Sequence, residues 1–157
     1  MLSPESIAKI DRELAKYPAD QRRSAVMSAL RIAQDEHGWL SKDTIAEVAE
    51  YLGIPAIAAL EVATFYNMYD LEPVGKYKLT VCTNISCMLR DAYGVVEHLE
   101  NRLGIHCGET TPDGKFTLRE GECMGACGGA PLLHINNSDM REFLTNEKLD
   151  ALLEELK

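Results

Sequence analysis

Apolar residues recur with a helical spacing through the first seventy positions and with a strand-like alternation after residue 76. Ser3 and Pro4 make an N-cap and first-turn pair, and Ile7, Ile10 and Leu14 form one apolar stripe behind them. After YPAD, a longer helix carries Val26, Leu30 and Ala33 on one face and is expected to stop at His37-Gly38. Ser41 caps a third helix with Ile45, Val48, Ala49 and Leu52 at i, i+3, i+4, i+7. Gly53 breaks it, and Pro55 opens a fourth that runs through Ile57, Leu60 and Phe65. These pieces predict a small helical bundle.

The period changes after DLEPVGKY, residues 70–77, where Pro and Gly follow a helical stretch. The expected division is a helical domain over 1–72 and a second domain over 73–157. In YKLTVC, Tyr77, Leu79 and Val81 alternate with Lys78, Thr80 and Cys82, as in a strand. One helix is expected next, opening near Cys87, with Leu89, Ala92, Val96, Leu99 and Leu103 on its stripe and Gly104 at its end. PDGKFTLRE reads as a turn and a strand through Phe116 and Leu118, and a further short strand is conceivable near Ile105. LLHIN and MREFL suggest a hairpin joined at Asn137-Ser138, and NEKLDALLEEL a last helix with Leu149, Leu152, Leu153 and Leu156 inward. Strand, helix, strand, hairpin and helix make an α/β sandwich of thioredoxin-like size, so the chain as a whole combines an α domain with an α/β one.

Composition narrows the function. With 157 residues, 46% hydrophobic and 26% charged, the chain has the make-up of a globular protein of one domain or two small ones. Its formal charge of −9 argues against a nucleic-acid binder, which needs a basic footprint. No apolar run reaches membrane-spanning length, and MLSPESIAKIDREL is too charged for a signal peptide and too acidic for a mitochondrial presequence, so a cytosolic location is expected. Neither G-x-G-x-x-G after a strand nor G-x-x-x-x-G-K-[ST] occurs, and nothing supports a catalytic triad or paired acid–base carboxylates.

Five cysteines in a reducing compartment point to metal or redox chemistry rather than disulfides. Four form two pairs, Cys82-x4-Cys87 in VCTNISCM and Cys123-x3-Cys127 in GECMGACG, each in a loop that leaves a strand. Strand-exit loops on one edge of a sheet converge where α/β folds hold ligands. A structural zinc favours tighter x2 knuckles but tolerates these. Spacings of x4 and x3 suit two iron atoms, each held by one pair, as in a [2Fe–2S] cluster. Gly121, Gly125, Gly128 and Gly129 are expected to leave amides open and admit positive φ, so that N–H groups reach the negatively charged sulfurs. The plant and bacterial ferredoxin runs are both absent. A thiol–disulfide oxidoreductase would want C-x-x-C, and neither pair has it.

Taken together, VCTNISCM, GECMGACGGAP and ATFYNMYDLEP closely resemble the thioredoxin-like [2Fe–2S] subunits (the E subunits) of bacterial NADH:quinone oxidoreductases, respiratory complex I. The resemblance covers nearly the whole chain, including residues 1–70. It implies one [2Fe–2S] cluster on Cys82, Cys87, Cys123 and Cys127, with no catalytic site of the chain's own. It further implies that FMN and NADH belong to a neighbouring subunit, with which the cluster exchanges single electrons. Other peripheral-arm subunits are the remaining expected partners, and the implied location is the cytoplasmic face of the inner membrane, without insertion. Diaphorase subunits of NAD-linked hydrogenases and formate dehydrogenases share the motif. A zinc-stabilised binding module is the reading from a different class.

The remaining residues carry blander expectations. Cys107 falls outside both pairs and reads as a half-buried thiol, with His106 beside it by accident. His37, His98 and His134 read as surface or packing residues, and Met124 as a shield over the cysteines or plain packing. ATFYNMYD reads as interdomain core, or more sharply as a contact surface for the flavin subunit.

Overall fold

Ser3 Oγ accepts the Ser6 amide at 3.2 Å and so starts α1 (Pro4–Leu14), and Ser41 Oγ accepts the Thr44 amide at 3.1 Å to start α3 (Lys42–Leu52). Between them, a 3₁₀ turn over Arg22–Ala25 leads into α2 (Val26–His37), which closes on Gly38 at φ +81°. The fourth helix, α4, spans Ala56–Phe65. The structure is a computed structural model and describes residues 1–156. The chain separates into two units, Met1–Pro73 and a second from Val74 onward.

The first unit buries Ile10, Leu30, Val48 and Leu52 completely or nearly so. The stripes expected for α1, α2 and α3 are the faces that pack. In α4 the buried face is instead Ala58, Ala59 and Ala63, while Ile57 is 61% and Phe65 79% exposed. This helix is apolar nearly all round, so spacing alone does not choose its inward side; alanines let it approach its neighbours closely. ATFYNMYD divides: Tyr69 is buried and Met68 packs against the helical core, whereas Phe65 and Tyr66 are exposed and stack edge-to-face at 5.0 Å. Gln34 fixes this stretch, donating from Nε2 to the Met68 carbonyl at 3.0 Å and accepting the Asp70 amide on Oε1 at 2.7 Å.

The second unit is a mixed sheet in the order β2-β1-β3-β4, built from β1 (Tyr77–Cys82), β2 (Phe116–Gly121), β3 (Leu133–Ile135) and β4 (Asp139–Arg141). β1 runs parallel to β2 and antiparallel to β3, and β3 and β4 form the hairpin. Leu79, Val81, Leu118 and Leu133 of the sheet share one core with Leu99 of α6 (Ala92–Leu103) and Leu149 of α7 (Asn146–Glu155). Because β1 is central, Lys78 and Cys82 on its other face are buried as well, against the expected alternation.

Three expectations change here. The single helix after β1 is two: a four-residue α5 (Ile85–Met88) and then α6, separated where Asp91 takes φ +68°. Leu89 therefore leaves the apolar stripe and is 76% exposed. The hairpin turns on Asn136 and Asn137, at φ +51° and +59°, with Ser138 N–H closing onto the Ile135 carbonyl at 3.1 Å. Near Ile105 there is no strand; the segment runs beside β2 through a few hydrogen bonds and a lone bridge between Thr110 and Thr117.

Candidate metal centre

The parallel ladder of β1 and β2 ends with Cys82 opposite Gly121, and the Thr83 amide still donates to the Gly121 carbonyl at 3.0 Å. Both cysteine turns begin at this edge. Cys82 is the last residue of β1, and Cys87 is the third residue of α5, which Asn84 opens with its Oδ1 accepting the Ile85 amide at 2.9 Å. Cys123 follows β2 by two residues, and Cys127 begins a 3₁₀ turn, Cys127–Gly129.

Cys82 and Cys87 are each only 2% exposed and lie in a small apolar cluster with Ala92, Ala130 and Leu132, onto which Met124 packs. Burial, first, and then the neighbouring Cys82 thiol hold the Cys87 thiol above the ordinary range, while the Leu132 backbone pulls the other way. Cys127 is near enough for its charge to act on Cys87. Cys123 is exposed, and the Gly125 N–H donates to its sulfur at 3.4 Å. The structure thus gathers Cys82 and Cys87, with Cys127 close by, and leaves Cys123 on its loop. Among the described residues, no three His, Cys, Asp or Glu side chains stand in a metal-ligating arrangement.

The donor chemistry nevertheless fits an iron–sulfur group. Four thiols come from two turns at one sheet edge, and the Gly125 N–H already faces the Cys123 sulfur, the arrangement that lowers the energy of a negatively charged sulfur centre. The glycines divide this labour unevenly. Only Gly125 takes positive φ, at +77°; Gly128 has open space where a Cβ would stand. A Cβ on Gly129 would collide with the Glu142 carboxylate, so that glycine serves close packing rather than the thiols.

Cys107 lies apart and half-buried, its N–H donating to Glu100 Oε1 at 2.8 Å. His106 meets the same Glu100 at 3.5 Å, and His98 meets Asp150 at 2.9 Å across α6 and α7. Sequence reasoning missed Asn84 and Glu122, whose side chains join the two cysteine turns at 2.8 Å. Their only sequence signal is position: each stands within three residues of a paired cysteine, on the polar side of a strand exit.

A mixed sheet flanked by helices, with paired cysteines at the carboxyl ends of two adjacent parallel strands, defines a thioredoxin-like domain with a thiol site. The chain belongs to the thioredoxin-like [2Fe-2S] ferredoxin family, which it matches over residues 10–157. It is 46% identical over 149 residues to the E 2 subunit of NADH-quinone oxidoreductase from Rhizobium meliloti, spanning 95% of this chain and 87% of that one. To NADH-quinone oxidoreductase subunit 2 of Thermus thermophilus it is 40% identical over 148 residues, 94% and 82% of the two chains. Among solved structures it superposes on the NAD+-reducing [NiFe]-hydrogenase in the H2-reduced state with a TM-score of 0.72 at 21% identity, covering 83% of this chain and 22% of that one. The last likeness speaks to fold. The resemblance drawn from the cysteine motifs is borne out. No described helix is long and apolar enough to cross a membrane.

Proposed function

We propose that this chain is the electron-transfer subunit of an NADH:quinone oxidoreductase, holding one [2Fe–2S] cluster on Cys82, Cys87, Cys123 and Cys127. The observation that carries the reading is the pair of cysteine turns leaving adjacent parallel strands, with the Gly125 N–H facing the Cys123 sulfur. The 40–46% identities to named subunits of that oxidoreductase support the assignment to the complex. When bound, such a cluster supplies one-electron transfer.

The chain's own part is to hold and shield. Cys82 and Cys87 supply thiolates from an apolar cluster, where a bare thiolate is disfavoured, so deprotonation is linked to metal binding. Met124, Ala126, Leu132 and Met140 limit water on that side, and the exposed Cys123 and Cys127 form the accessible side. Ile85, Leu89 and Tyr93, on and just after the turn that carries Cys87, are exposed apolar side chains suited to a partner that brings its own redox group close. We assign FMN and NADH to that partner, a neighbouring NADH-binding subunit on the cytoplasmic side of the membrane.

Serine replacements test the ligand set. Each of C82S, C87S, C123S and C127S is expected to lower visible absorbance and iron content, while C107S leaves both at the wild-type level. Equal iron in all five variants would contradict the assignment.

A further inference from the structure

The backbone ladder between β1 and β2 stops at the Thr83 amide on the Gly121 carbonyl. One residue further along each strand, side chains continue it: Asn84 Nδ2 donates to Glu122 Oε2 at 2.8 Å. Asn84 has a second task at the same time. Its Oδ1 accepts the Ile85 amide at 2.9 Å and its carbonyl accepts the Met88 amide at 2.8 Å, which fixes the turn that carries Cys87. Glu122 immediately precedes Cys123, one of the two exposed thiols of the second pair. One side chain therefore organises the first cysteine turn and ties it to the second.

We propose that Asn84 and Glu122 form a clasp that sets the distance between the two cysteine turns, making both of them positioning residues for the metal centre. The inference rests on the [2Fe–2S] reading above. The clasp restricts the Cys123 loop, which Gly125 otherwise leaves flexible in its backbone, and lessens the ordering that the loop must undergo when four thiolates close on one group. A neutral glutamine at 122 retains an amide oxygen that accepts from Asn84; alanine retains nothing.

The test uses the full-length, iron-loaded chain and follows loss of visible absorbance to an excess of iron chelator. N84A and E122A are each expected to release iron about three- to tenfold faster than wild type, the range that one ordinary intramolecular hydrogen bond gives. E122Q is expected to restore most of the difference, and N84A/E122A to release no faster than either single variant, because both remove one interaction. Wild-type release rates in both single variants, or effects that add fully in the double variant, would overturn the clasp. A second measurement is independent of iron: in the metal-free full-length chain, the Asn84 side-chain amide resonances are expected to move between wild type and E122A and to return toward the wild-type position in E122Q. Coincident resonances in wild type and E122A would equally overturn the clasp. A wild-type chain that binds no iron while its Asn84 resonances still respond to E122A would defeat the cluster reading and leave the clasp standing.

Discussion

Cys82 and Gly121 face each other across the last rung of the parallel β1–β2 ladder, which makes the two cysteine turns neighbours from their first residue. Gly121 leaves little room for a larger residue. A Cβ there would stand 2.7 Å from Thr80 Cγ2 and 3.2 Å from Met124 Cε, so a methyl group pushes on both the strand and the residue between the second pair of thiols. Gly121→Ala is expected to destabilise the fold by about 1–3 kcal/mol, the usual cost of overpacking, and to hasten iron loss. Urea unfolding and chelator release measure the two effects; wild-type values in both would show that Thr80 and Met124 move aside freely.

Gln34 is the corresponding hinge pin of the first unit. It is 5% exposed, and its amide satisfies the Met68 carbonyl and the Asp70 amide together. Gln34→Leu preserves much of the volume and leaves both backbone groups without that partner. The expected loss is about 1–3 kcal/mol of stability by urea unfolding. An unchanged midpoint would mean that water replaces the side chain without cost.

Much of this architecture is legible in the sequence. Serine caps and glycine stops mark α1, α2 and α3 within a residue or so, because caps act locally and the stripes they bound have one apolar side. Where a helix is apolar all round, as in α4, spacing is silent about which side packs, and alanines took the inward face. The break between α5 and α6 was hidden for another reason: Asp91 in a left-handed conformation is a tertiary choice that an unbroken i, i+3, i+4 stripe does not announce. The four paired cysteines are conspicuous by spacing. Asn84 and Glu122 are ordinary polar residues until the ladder sets them side by side.

Cys107 offers a pH test, since burial first, and then Glu120 and Glu100, push its thiol up to about 11 from 9.0. The neutral form is favoured in the fold, so the unfolded chain releases its proton first. Stability from this group is complete below pH 9 and is lost as pH rises toward 11. In the iron-loaded protein, alkylation of Cys107 by iodoacetamide is expected to accelerate about tenfold per pH unit between 8 and 10, following the thiolate fraction. A plateau reached by pH 9 would contradict it. C107S is expected to flatten the alkaline fall in stability.

Surface residues test the partnership. Phe65 is 79% and Leu89 76% exposed, so F65A and L89D each remove little buried area, and each is expected to change stability by less than about 1 kcal/mol. Both are expected to reduce recovery of the chain with the assembled oxidoreductase when the variants are expressed in place of the wild-type protein. Full recovery of both variants would move the partner's contact elsewhere.

The most direct measurement is an anaerobic visible and electron paramagnetic resonance spectrum of the purified chain, before and after dithionite, with iron and zinc assayed on the same sample. Two irons per chain, a brown colour that bleaches and an S = 1/2 signal that grows on reduction are the expected result for a [2Fe–2S] cluster held by four thiolates. A colourless chain with one zinc, persisting after anaerobic expression with ample iron, would contradict it and make the same four cysteines a structural clasp for the two turns.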